Sequence, residues 1–142
     1  MPVETTASLT PFGTTLQLSL HVLAATVWVG GQLTVAGLVP TLRRIGPDAP
    51  KTVARAFARL QWPAFAVLVL TGVWNVGSAG HQSSSWSVVL GAKIAIVVVA
   101  GIAAIAHSRS KTKAGLATYG AITGVGSIVA VVLGVALSGQ MH

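Results

Sequence analysis

Cysteine is absent from the 142 residues, which removes disulfides, thiolate metal sites and cysteine nucleophiles together. Acid is nearly absent too. Glu4 and Asp48 are the only carboxylate side chains. Both fall outside the apolar runs, so a carboxylate proton relay within a membrane is excluded. Charged residues make up 8% of the chain, against roughly 25% in a soluble domain. The opening MPVETTASLTPFG carries no Lys or Arg and so lacks the charged start of a signal peptide. The first apolar run is therefore expected to stay as an uncleaved anchor.

What fills the chain instead is apolar: 53% of residues are hydrophobic and the mean hydropathy is +0.78. That balance indicates a polytopic membrane protein, with the lipid bilayer as its main partner. The expected fold is all-α, a bundle of four transmembrane helices. A polar tail, residues 1–13, precedes a single domain over 14–142. A net charge of +7 would suggest nucleic-acid binding in a soluble protein. Here the cations sit in two short segments between apolar runs, so no nucleic-acid partner is expected.

The stretch Leu18–Pro40, LSLHVLAATVWVGGQLTVAGLVP, can cross a bilayer by itself and carries His21, Trp28 and Gln32. Steps of four, three, four and three from His21 reach Ala25, Trp28, Gln32 and Val35, one face of a helix. Lipid makes a polar side chain costly, so an imidazole inside the run points to a partner or a ligand. The first span is expected over about Thr14–Val39. TLRRIGPDAPKTVARAFARLQW follows, with Lys51, Arg55 and Arg59 four residues apart. It reads as a short amphipathic helix of loop 1–2 at the headgroups, or as a solvated helical loop.

The second span is expected over Trp62–Ser78, with Pro63 in its first turn and Thr71 and Asn75 one turn apart near its far end. Residues 79–85 form a short polar loop containing His81. The third span runs from Trp86 to about His107 and contains Lys93, the only charge inside an apolar run. SRSKTK, residues 108–113, is a second basic loop. In the fourth span, about Ala114–Leu137, Gly120, Gly124, Ser127, Gly134 and Ser138 form a small-residue stripe. It suits close helix packing, inside the bundle or against a second copy.

Loop 1–2 holds five Lys and Arg, loop 3–4 holds three, and the termini and loop 2–3 hold none. The positive-inside rule then places both basic loops in the cytoplasm and both termini outside the cell (inner or plasma) membrane. His21 and Lys93 fall at one depth in the outer half, Asn75 slightly shallower, with His81, Met141 and His142 beyond. His107 lies about 20 Å deeper than Lys93, so it does not share a small metal ion with His21. Each group also has a structural reading. Lys93 can snorkel to the headgroups, His21 can hydrogen-bond between helices, and His107 can be interfacial. Trp62 and Trp86 read as interface anchors, whereas Trp28 lies deeper and reads as bundle packing.

LHVLAATVWVGG (Leu20–Gly31), Arg43–Arg44, RLQWPAFAVLVLTGVWN (Arg59–Asn75) and WSVVLGAKIAIVVV (Trp86–Val99) resemble the copper-resistance D (CopD) membrane domain over the first three spans. The pattern is also similar to the HemJ-type haem b proteins, short four-helix membrane proteins. In those a first-helix His and a third-helix Lys are the functional pair, matching His21 and Lys93. The chain departs from that group at the end of the third helix, where His107 stands alone in place of a His-rich ending.

The CopD resemblance implies copper handling at the outer face, with His21, His81, Met141 and His142 as ligands suited to copper. The HemJ resemblance implies a haem b protein, a redox subunit or an oxidase, with His21 as axial ligand and Lys93 either beside a propionate or acting on substrate protons. Trp28 and Asn75 are then candidate cofactor contacts, and the second axial ligand is unidentified. A non-catalytic subunit of a larger membrane complex, or a homo-oligomer docked through the fourth span, is compatible with the same residues.

Overall fold

The computed structural model describes residues 10–80 and 82–138, and every regular element among them is helical. Four helices are long and apolar enough to cross a membrane: α1 (Phe12–Ile45), α2 (Ala49–Ser78), α3 (Ser84–Arg109) and α4 (Lys113–Ser138). The shortest, at 26 residues, measures about 39 Å, ample for a hydrocarbon layer of roughly 30 Å. The chain is an all-α four-helix bundle with the surface of a multi-pass membrane protein. Leu70, Val73 and Val135 are 69%, 68% and 67% exposed, an outer face that belongs in lipid rather than water.

Helix ends follow local chemistry. Ser83 caps α3 by accepting the Trp86 N–H at 3.2 Å, and the Thr112 hydroxyl accepts the Gly115 N–H at 3.1 Å at the start of α4. These caps take up N–H groups that a first helical turn leaves unpaired.

Two boundaries differ from the sequence expectation. The first helix does not stop at Val39; it continues through Pro40 to Ile45 and carries Arg43 and Arg44 in its last turn. The basic segment 51–60 is helical as expected, but it is not a separate element. It is the first third of α2, and the connection to α1 is only Gly46–Asp48. Pro63, expected in a first turn, therefore lies inside α2. Its missing N–H would have reached the carbonyl of Arg59, an exposed residue toward the polar end of the helix.

Helices α1 and α2 form one antiparallel hairpin and α3 and α4 another, each pair in close backbone contact along its length. The hairpins meet through a π-helical turn in α1, Thr26–Gly30, which approaches α4. Side chains attend to the carbonyls around this wider turn. Thr26 donates to Val22 O at 2.9 Å, Gln32 to Trp28 O at 2.8 Å and Thr34 to Gly30 O at 2.8 Å. A single π turn within an α-helix commonly sits at a functional site. Here it swings Trp28 into the bundle.

The core is small and made of small residues. Ala24, Ala64, Ala100, Ala103 and Ala104 are buried, as expected where helix backbones approach in lipid. Trp28 is 3% exposed. Its ring lies 4.5 Å from Phe65 and 6.1 Å from Trp62, centroid to centroid. Trp62, expected as an interface anchor, is thus half-buried in an aromatic cluster. The continuity of α2 carries it inward. Phe65 in turn occupies the gap above Gly101 of α3, where an added Cβ would stand 2.9 Å from its ring.

Candidate functional site

Between the aromatic cluster and the end of the bundle where α2 finishes and α3 begins, α1 and α2 share a ladder of polar side chains. The rungs come from two pairs spaced one turn apart, Gln17 and His21 on α1, Thr71 and Asn75 on α2. Because the helices are antiparallel, Gln17 meets Asn75 and His21 meets Thr71. Gln17 donates to Asn75 Oδ1 at 2.7 Å and, at 3.5 Å, to the carbonyl of Thr71. The His21 Nδ1 to Thr71 Oγ1 distance is 2.7 Å.

The direction of that bond follows from proton counting. A threonine hydroxyl has one hydrogen, and that of Thr71 is given to its own helix, to Val67 O at 2.6 Å. Thr71 therefore accepts, and His21 Nδ1–H donates. A neutral imidazole fixed in this tautomer carries its lone pair on Nε2, and no partner for Nε2 is present among the described residues. A histidine whose Nδ1–H is held by the protein while Nε2 stays open has the arrangement of a metal-ligating imidazole, with Thr71 as the orienting group.

Lys93 enters from the other hairpin. Phe12 to His21 and Ser84 to Lys93 are each nine residues, about 14 Å of helix from the same end of the bundle. The ammonium lies against Gly134 of α4, 3.0 Å from where a Cβ would stand. Asp48 is at the opposite end of the bundle, so among the described residues Lys93 has no acidic partner. A half-buried cation without a counter-ion suits a ligand that brings its own negative group.

No family model, curated protein or solved structure matches the chain.

Of the residues singled out from sequence, His21 and Lys93 stand on facing hairpins at one depth. Asn75 is half-buried but reaches Gln17 rather than His21, being one turn closer to the end of the bundle. Trp28 is one span-face below His21 and belongs to the packed centre, where its indole N–H donates to Ser127 Oγ at 2.8 Å. His107 lies at the basic end, its Nδ1 2.9 Å from Leu116 O. It serves the α3–α4 turn and is remote from His21. His81, Met141 and His142 lie outside the described residues. Among the described residues no group of three or more His, Asp or Glu is gathered as a metal site.

Gln17 and Thr71 were not singled out as site residues from sequence. The available signal was the four-residue spacing Gln17–His21 in one span mirrored by Thr71–Asn75 in the next. It becomes decisive only when the two helices are known to pair. The fourth-span stripe divides in the fold. Ser127 and Gly134 face neighbours within the bundle, and Gly120 makes room for the His107 ring at 3.2 Å. Gly124 has nothing within 4 Å of an added Cβ. It lines an open groove of about 320 Å³ between α1 and α4.

Proposed function

We propose that the bundle is a haem b-binding membrane protein that uses His21 Nε2 as an axial ligand. The observation that carries this reading is the 2.7 Å contact of His21 Nδ1 with Thr71, with no partner for Nε2 among the described residues. A porphyrin supplies four of the iron's ligands itself, so a single protein imidazole is enough to anchor it. Lys93 would receive a propionate, which accounts for an ammonium at this depth without a protein carboxylate. Trp28, Phe65 and Trp62 would supply apolar surroundings deeper in the bundle. Bound haem would supply one-electron chemistry. The chain's own part is to orient the imidazole, balance the carboxylate charge and keep water from the site.

Copper handling of the CopD kind is the second reading. It is favoured by the position in sequence of His81, Met141 and His142, which follow helix ends on the side of the bundle nearest His21. Those donors and an imidazole suit copper. In either case the distribution of Lys and Arg supports a plasma- or inner-membrane protein with both termini outside.

The test is one preparation in detergent, with visible spectra of the reduced and oxidised protein and measurement of bound iron and copper. A Soret band that disappears in His21→Ala supports haem. Stoichiometric copper without that band overturns it in favour of the second reading. Neither metal, with copurifying subunits, indicates an accessory role in a larger complex.

A further inference from the structure

At the opposite end of the bundle, eight Lys and Arg face one acid, Asp48. All eight are exposed. Lys51, Arg55 and Arg59 recur at i, i+4 and i+8, so they form one stripe along a single face. That stripe is rigid because α2 is unbroken from Ala49 through the membrane. It also extends beyond the end of α3. Phe65 lies level with Gly101. From that level α3 runs eight more residues to Arg109, about 12 Å, whereas α2 runs sixteen to Ala49, about 24 Å. Arg43 and Arg44 reach the same overhang from α1.

Two apolar side chains sit among these cations. Leu60, next to Arg59, is 66% exposed, and Ile45, next to Arg44, is 73% exposed. Such side chains belong at the boundary of acyl chains and headgroups, which brings the adjacent guanidinium groups to phosphate level.

We propose that this basic overhang is a binding surface for anionic phospholipid headgroups. Five of the eight cations are Arg, whose fork matches phosphate oxygens in pairs. Counted from Leu60 at about 1.5 Å per residue, Arg59 and Arg55 lie within a Debye length, about 10 Å, and Lys51 just beyond it. A charged leaflet is thereby a permanent neighbour, whereas a soluble acidic partner would have to be recruited. This surface is independent of the His21 site, which lies at the other end of the molecule.

The full chain in detergent, exposed to equal amounts of phosphatidylglycerol and phosphatidylcholine, is examined by native mass spectrometry for retained lipid. Retention of phosphatidylglycerol on the order of tenfold over phosphatidylcholine is expected, falling to about twofold or less in Lys51→Gln/Arg55→Gln/Arg59→Gln. Arg55→Lys/Arg59→Lys keeps the charge and is expected to keep most of the preference. Five cations remain in the triple variant to hold topology, and none of the altered side chains supports a neighbour. Equal retention of the two lipids by the unmodified protein would overturn the proposal. So would a preference untouched by the triple variant. Capture of polyglutamate in nanodiscs, without lipid preference, would reassign the surface to an acidic protein.

Discussion

Trp28 of α1 donates its indole N–H to Ser127 of α4 across 2.8 Å in the buried centre of the bundle, and this bond ties one hairpin to the other. In lipid, side-chain hydrogen bonds between helices contribute about 0.6 kcal/mol on average and up to roughly 1.7. A double-mutant cycle of Trp28→Phe and Ser127→Ala, read by unfolding in mixed micelles, is expected to give a coupling near the upper end of that range. Both atoms are shielded from water, and Ser127 is 3% exposed. A coupling indistinguishable from zero would mean that the hairpins are held by packing, such as Phe65 against Gly101, without help from this bond.

The four spans, their alternation and the inward face of α1 were all legible in sequence, because each depends on local hydrophobicity and a helical period. The continuity of α2 was not. Pro63, an adjacent Trp and a run of cations together resemble a helix boundary. Phe57 packs against Gly31 of α1, a contact that ties the basic segment to the first helix and that no local pattern shows. The pairing of His21 with Thr71 was hidden for a different reason. A short-range pattern shows which residues share a face, but not which two faces meet.

Glycine substitutions should separate the used part of the small-residue surface from the unused part. Gly101→Ala places a methyl 2.9 Å from the Phe65 ring, which is confined by Trp28 and Trp62. A loss of about 1–3 kcal/mol in stability is expected, the usual cost of overpacking. Gly124→Ala meets nothing within 4 Å and should stay within about 0.5 kcal/mol of the parent. If Gly124→Ala instead lowers a dimer fraction in cross-linking, the groove between α1 and α4 is a contact between copies.

Thr71 is the positioning residue for His21, so its variants should act on ligand loading more than on folding. Thr71→Val keeps the shape and removes the acceptor. The expected outcome is a fall of about 10–100-fold in metal or haem affinity, while Thr71→Ser retains most of it. Titration of the bound group by its visible spectrum distinguishes the two. Equal loading of both variants would show that Nδ1 needs no partner.

The absence of cysteine makes topology directly measurable, since each introduced thiol is the only one. Gln82→Cys lies at the end of the bundle nearest His21 and Lys111→Cys in the basic turn. With cations retained on the cytoplasmic side, an impermeant maleimide added to intact cells should label the first and spare the second. The reverse pattern would move the His21 site to the cytoplasmic half and invert the proposed orientation.

Lys93 offers the clearest separation of function from stability. A charge held at this depth costs about 2.5–3.5 kcal/mol on insertion scales, and among the described residues no acid returns any of that. Lys93→Met has similar length and removes the cost, so thermal stability without ligand is expected to rise, on the order of 1 kcal/mol. The same change takes away the positive partner for an anionic group, and uptake of haem should weaken. Lys93→Arg preserves the charge but must fit a larger head beside Gly134, so partial uptake is expected with no gain in stability. The decisive measurement is melting temperature and haem occupancy on the same samples. If Lys93→Met loses stability and loads normally, Lys93 is a structural element of the α3–α4 contact, and the anion-binding role assigned to it is wrong.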